Sequence, residues 1–575
     1  MSEKIINVLA IGLLSVMFIV GLSSYQQDSL TMDEQSHIGA GYSYLSQQDF
    51  RINPEHPPLI KDLSAVPLLF LNLNFPLDDA AWTDGINNQW IFGNKFIFNS
   101  GNDADQIIFW SRLPMLLVLM SLGWFLFWWI KKEFNKEAAL MTLFLFSFSP
   151  NLIAHGRLVT TDIGAVLGFV LSTYFWLKFL KDPSNKNVLY AGLIFGFSML
   201  LKFSLALLIP FFGIITLTYV LIKKENMMQY LGKSILIGLI GLIFVIWPVY
   251  QAHIINYPIE KQVIDTTSVL QPTLMNPLRE FLISIASIPV IRSIGLYFTG
   301  LLMATQRTAF GNTTYFLGKM ANSSYRNYFP IVYLLKVPIA FHILTLTALL
   351  SLIFKKAEKA RLIIKDKIES NFTEFSMLVF LLIYWLTSVL GNLNLGIRHL
   401  LPVFPFTYIL VSLCLIKLIK TIKKPTIKKA SIFFISLCLG WYAVSSLINY
   451  PYYISYFNEI VGTDNGYKYV VDSNYDWGQD LKRLVKWVEE NNIEKIKIDY
   501  FGGADVNYYL GDKAVWFDSS SGVQKGYLAV STTYLQSGIG EPVPGFNYNA
   551  GFYRWLEDYD PIARAGKSIL IYYIE

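Results

Sequence analysis

Two cysteines, Cys414 and Cys438, are all the chain contains, and both lie inside apolar runs. That excludes a disulfide framework and a cysteine-built metal site. Charge is scarce as well: 15% of the residues, where a soluble globular chain carries about a quarter. Internal repeats, low-complexity linkers and glycine-rich phosphate loops are missing. The basic surplus of +6 is no nucleic-acid footprint, because the lysines sit in short loops between apolar runs.

What is present is apolar surface: 53% hydrophobic residues, 16% aromatic, and a mean hydropathy of +0.41. A hydrocarbon core of about 30 Å asks for about 20 apolar residues per helix. Candidate spans fall near 5–24, 107–130, 137–154, 162–180, 188–201, 203–222, 231–250, 329–354, 373–391, 400–418 and 430–448, about eleven in all. The first is too long for a signal-peptide core, so it reads as an uncleaved span. The weakest division is at Lys202, which interrupts one continuous apolar stretch.

The lysines support that division. Lys131, Lys132 and Lys136 share a loop, as do Lys181 and Lys186, and Lys223, Lys224 and Lys233. Lys355, Lys356, Lys359, Arg361, Lys365 and Lys367 fill a fourth, and Lys417, Lys420, Lys423, Lys424, Lys428 and Lys429 a fifth. With a cytoplasmic N-terminus and eleven spans, every one of these loops is cytoplasmic. The expected architecture is an all-α polytopic membrane bundle over 1–448 with outer loops 25–106 and 251–328. A small extracytoplasmic α/β domain follows over 449–575. In it Asp480–Asn491 has helical periodicity, while 495–500, 527–530 and 569–574 have strand character.

Chemistry-bearing residues gather at the outer ends of spans. Asp33-Glu34 follows the first span, with His37 and Tyr44 at helical spacing and Thr31 placed to cap a helix. Glu55-His56 precedes Pro57-Pro58, which hold the backbone extended. The apolar run 59–73, bearing Lys61 and Asp62, suits an interfacial helix. Asp162 opens the fourth span after His155 and Arg157; an acid there is a candidate site residue, with an Arg157–Asp162 ion pair as the plain alternative. Arg398-His399 puts positive charge at an outer mouth, suited to phosphate, with snorkelling as the alternative. A tyrosine-rich segment after the last span carries Asn458-Glu459, Asp472, Asn474, Asp476 and Asp480, with Asp476 a possible N-cap of the following helix.

Taken in order, Asp33-Glu34, Glu55-His56-Pro57-Pro58-Leu59, Thr161-Asp162, GIRHLLPVFPF at 396–406 and YFNEIVG with DSNYDWGQDL resemble a known group. It is the phospholipid-carrier-dependent glycosyltransferases of GT-C fold, which include protein O-mannosyltransferases and aminoarabinose transferases; the closing segment is similar to the prokaryotic mannosyltransferase-like branch. The resemblance implies transfer of a hexose-type sugar from a polyprenyl-phosphate carrier to an acceptor hydroxyl outside the cytoplasm, with inversion. It implies catalytic roles for Asp33, Glu34 and Asp162, with or without a divalent metal ion held by Asp33 and Asp162. Glu55, His56, Arg157, Arg398 and His399 become substrate-binding candidates, although His56 stands where the aminoarabinose branch tends to carry lysine. No nucleotide cofactor is expected, and the acceptor is a protein, glycolipid or glycan. A transporter or flippase of a lipid-linked sugar is the rival; it would place charges near span midpoints and show two similar halves. A phosphoethanolamine-type transferase would need a metal cluster in its soluble domain, and the tail here has no histidine.

Overall fold

The computed structural model describes residues 2–270, 272, 276–356 and 364–575. Lys359 and Arg361 of the fourth lysine loop lie outside the described residues. Among the described residues, eight helices are long and apolar enough to cross a membrane, and counting each of two bent helix pairs as one span brings the number to ten. The bends are explained by proline. Lys136–Ser147 turns by 62° into Pro150–Gly156, where Pro150 opens the second piece behind the Ser149 cap. Tyr328–Lys336 turns by 109° into the next helix at Val337-Pro338. Proline costs nothing at a helix start but breaks a helix interior.

The eleventh expected span is the helix Asn185–Met199, whose 15 residues rise about 22 Å, short of a bilayer core. It nonetheless completes a hairpin with Thr161–Lys181, because Lys202 Nζ returns to within 2.5 Å of Asp162 Oδ1. The remaining depth is covered by non-helical chain at 200–202, where Lys202 is extended. The Leu200 carbonyl freed there accepts the Leu59 N–H at 3.2 Å. The break in the apolar run is thus a break in the helix as well.

Contacts tie the lysine loops to one end of the bundle. Lys131 meets Glu3 at 2.7 Å, Lys223 meets Glu369 at 2.8 Å, and Lys420 meets Glu137 at 3.3 Å. Lys181 pairs with Glu133, and Lys233 donates to the Pro183 carbonyl. Such exposed pairs add little stability. They do show that the loops grouped by charge are neighbours in space.

At the other end, the helix Met32–Gln47 packs against Leu59–Ala65 and Gln89–Phe98. Gly41 permits this approach: a Cβ there would lie 2.2 Å from the Lys61 carbonyl oxygen. The run 59–73 is helical from Leu59 to Phe70, α then 3-10, and Phe70 is 85% exposed, as suits an interfacial element.

The tail carries a five-stranded sheet in the order Ala514–Trp516, Ile496–Asp499, Gly526–Ser531, Ile569–Ile574, Ala563–Ala565. The first three strands run parallel and the last two pair antiparallel. The strand read from alternation at 495–500 and those read from apolar runs at 527–530 and 569–574 are all present. The helix before them, Leu481–Glu490, buries Leu481, Leu484 and Val488. Asp476 does not cap it: its Oδ2 accepts the Thr533 N–H at 2.9 Å, and Asp480 holds the N-cap position. A second small sheet joins Thr314–Phe316 and Lys319–Ala321 of the outer loop to Glu541–Pro542 of the tail. One hydrophobic core runs from the bundle through Tyr453, Phe457 and Trp477 to Leu481.

Candidate active site

Glu34 starts the construction. Its Oε2 accepts from both the N–H and the hydroxyl of Thr31 at 2.9 Å, closing a capping box at the start of Met32–Gln47. The same carboxylate takes Arg112 side-on, Nε to Oε1 at 2.8 Å and Nη2 to Oε2 at 2.6 Å. The Val159 N–H adds a further bond at 2.9 Å. Both side chains are fully buried. Glu34 is therefore withdrawn as a catalytic residue: its oxygens are spent on holding a helix, a loop and a span together. Adjacent helix positions face apart, so Asp33 turns to the other side and lines a cavity of about 560 Å³.

Arg398 comes to Asp33 from a 3-10 turn at Ile397–Leu400. Its Nη1 lies 2.6 Å from Asp33 Oδ2 and 3.6 Å from Asp162 Oδ2, and its guanidinium stacks on Trp477 at 4.3 Å. Asp162 also accepts from Thr160 Oγ1 at 3.1 Å and pairs with Lys202. Thus four chain segments far apart in sequence meet at one cluster of alternating charge.

The second wall is the loop before Pro57-Pro58. Lys61 Nζ donates to the carbonyls of Asn53 and His56 and to the Tyr44 hydroxyl at 2.8–2.9 Å, which pins that loop. Glu55 Oε1 accepts from Gln89 at 2.9 Å and pairs with Arg307 at 3.2 Å. His37 and His56 lie with ring centroids 5.2 Å apart, and both line the cavity with His399. Burial holds His56 and His399 well below the ordinary histidine range and lowers His37 to about 4, so all three are neutral imidazoles at neutral pH. The apolar part of the lining includes Phe203, Leu207, Leu301 and Phe329.

The structure therefore gathers Asp33, Glu55, His56, Arg398 and His399 around one cavity, with Asp162 behind its Thr160-Thr161 rim. Arg157 is not there. It is fully buried, pairs with Asp28 at 2.6 Å, and neither lines the cavity nor forms the alternative pair with Asp162. Arg157 as a substrate-binding residue is corrected accordingly. The metal expectation for Asp33 and Asp162 fails on fit: the Arg398 guanidinium occupies the bridging position between those carboxylates. Among the described residues no three His, Cys, Asp or Glu side chains are grouped closely enough to hold a metal ion.

Sequence reasoning missed Lys202 and Arg307 as site residues. Lys202 carried a signal, since a lone cation inside an apolar run is a functional hypothesis. It was used above only to divide two spans. Arg307, in a long loop, carried none.

Residues 97–250 match the family model described as dolichyl-phosphate-mannose-protein mannosyltransferase. No curated protein matches the chain by sequence. Among solved structures, ArnT from Cupriavidus metallidurans bound to undecaprenyl phosphate is 11% identical, with 98% of this chain and 97% of that chain covered and a TM-score of 0.48. The Archaeoglobus fulgidus oligosaccharyltransferase in complex with Zn and sulfate is 9% identical, covering 95% of this chain and 71% of that chain, with a TM-score of 0.44. The segment that contributes Asp162 and Lys202 to the site is thus similar to dolichyl-phosphate-mannose-protein mannosyltransferases.

Proposed function

We propose that this chain is a membrane glycosyltransferase that moves a sugar of the hexose type from a polyprenyl-phosphate carrier to an acceptor hydroxyl, with inversion. The lysine-rich end is cytoplasmic in this reading, and the cavity with the tail is extracytoplasmic. One observation carries it: Lys202, Arg307 and Arg398 face the same cavity as Asp33 and Glu55, beside an apolar lining, at the end of the bundle away from the lysines.

The reaction breaks the bond from the anomeric carbon to the phosphate oxygen while the acceptor oxygen attacks from the opposite side. The departing phosphate keeps the bonding pair, and fixed cations stabilise the charge that develops there. Arg398 and Lys202 supply it, each held by Asp162. The acceptor proton goes to Asp33, the carboxylate that is one-quarter exposed to the cavity. Neutral His37, His56 and His399 offer hydrogen bonds without adding charge. Transport of a lipid-linked sugar is the weaker reading, because the paired acids sit at one end of the spans. Purified protein in liposomes, given radiolabelled polyprenyl-phosphate mannose or glucose and a membrane extract, tests the proposal. Label should leave the carrier for an acceptor, and should not in Asp33→Asn; label that crosses the bilayer still on its carrier would favour transport.

A further inference from the structure

We infer that tail residues 472–477 are a positioning element of the donor site, with Trp477 fixing both members of the Arg398–Asp33 pair. The inference rests on the carrier-phosphate role given to Arg398 above. Trp477 acts through two different parts of itself. Its ring lies under the Arg398 guanidinium at 4.3 Å, and its carbonyl accepts the N–H of Met32 at 3.0 Å, one residue before Asp33. The ring is supported from the bundle by His155, edge-on at 5.9 Å, whose two ring nitrogens have no hydrogen-bond partner. His155 is there as a packing surface.

The rest of the segment grips the Arg398 turn. Arg398 Nε donates to Ser473 Oγ at 3.2 Å, and the Ser473 hydroxyl donates to the Leu395 carbonyl at 2.5 Å. Asn474 Oδ1 accepts the Ile397 N–H at 2.9 Å, and its amide donates to the Tyr328 hydroxyl at 2.8 Å. Buried Lys336 donates to the Asn474 carbonyl and, at 2.8 Å, to that of Ile454. Between turn and tail stands Gly396, at φ +107°, where a Cβ would come within 2.7 Å of Ser473 Oγ. A stacked face and a bonded Nε together set the plane of the guanidinium. Its remaining edge is thereby aimed at Asp33 and the cavity before any ligand arrives, which lowers the ordering cost of binding. The tail is on this account part of the donor site, though none of 472–477 lines the cavity.

Binding of undecaprenyl phosphate to the purified full chain in nanodiscs tests this, with wild type, Arg398→Ala, Ser473→Ala, Trp477→Leu and Trp477→Phe compared at equal thermal midpoints. Trp477→Leu should weaken binding about fivefold to thirtyfold, the range for a desolvated cation–π contact, and Trp477→Phe should recover most of it. Ser473→Ala should weaken it about threefold to tenfold. Wild-type binding by Arg398→Ala would defeat the carrier-phosphate reading itself. Weak binding by Arg398→Ala beside wild-type binding by Trp477→Leu and Ser473→Ala would overturn the positioning role alone. Equal losses in Trp477→Phe and Trp477→Leu would overturn the role of the ring. If Trp477→Leu does not fold, Ser473→Ala against wild type decides.

Discussion

Arg398 Nη1 is bonded to Asp33 Oδ2 at 2.6 Å, so the cation proposed for the donor phosphate and the carboxylate proposed for the acceptor proton hold each other. While that bond stands, one oxygen of the carboxylate and one edge of the guanidinium are occupied. In the proposed reaction a donor phosphate would compete for the guanidinium and free Asp33. The order this proposes is carrier first, proton transfer second.

Asp33→Asn separates the two roles. The amide keeps the shape but cannot take a proton, and turnover should fall by a factor of about 10²–10⁴. Donor affinity should not fall, and should rise if anything, because Arg398 loses its competitor. Single-turnover transfer and carrier binding, measured on one preparation, check this; parallel losses in both would remove Asp33 as the base.

Lys202 and Asp162 make the opposite kind of pair. Their side chains are 13% and 1% exposed, so removing Lys202 leaves the buried Asp162 with only the more distant Arg398, at 3.6 Å, as a cationic partner. Lys202→Met should cost about 3–5 kcal/mol of stability. Lys202→Met with Asp162→Asn should recover much of that loss but no activity, since the cation near the phosphate is still gone. Denaturation in detergent reads the first effect and transfer assays the second.

Glu34 adjoins Asp33 in sequence, yet its substitution should behave as a structural lesion. Glu34→Gln breaks the buried pair with Arg112, and the folded yield should drop sharply. Activity per folded molecule should stay within about tenfold of wild type, against the far larger loss for Asp33→Asn. Yield by size exclusion and turnover per folded protein distinguish the two acids.

That contrast also marks what the sequence made legible. Composition and lysine placement sufficed for the bundle, because a bilayer imposes length and charge rules on every span. Alternation sufficed for Ile496–Asp499, and short apolar runs for Gly526–Ser531 and Ile569–Ile574. Asp33 and Arg398 stood out as charges at span ends, and Glu55 by the double proline that follows it. The partners did not: Arg112 with Glu34 and Asp28 with Arg157 are pairs across 78 and 129 residues, which no local pattern encodes. Lys202 stood in plain view, but an apolar run broken by one lysine reads as a topological boundary until Asp162 is seen beside it.

Two exposed positions at opposite ends of the molecule test the orientation. Asn465 lies in the tail and Lys429 in the last lysine cluster, at the start of the helix Pro425–Leu447, and both are exposed. The native cysteines offer little background, since Cys438 is buried and Cys414 partly so, both within spanning helices. A membrane-impermeant maleimide applied to intact cells should label Asn465→Cys and spare Lys429→Cys until the membrane is opened. The lysines favour this arrangement because positively charged short loops are retained on the cytoplasmic side. Labelling of Lys429→Cys in intact cells, with Asn465→Cys protected, would invert the molecule and put the cavity on the cytoplasmic face. Labelling of both from outside would mean that Pro425–Leu447, the helix that separates the two positions, does not cross the bilayer.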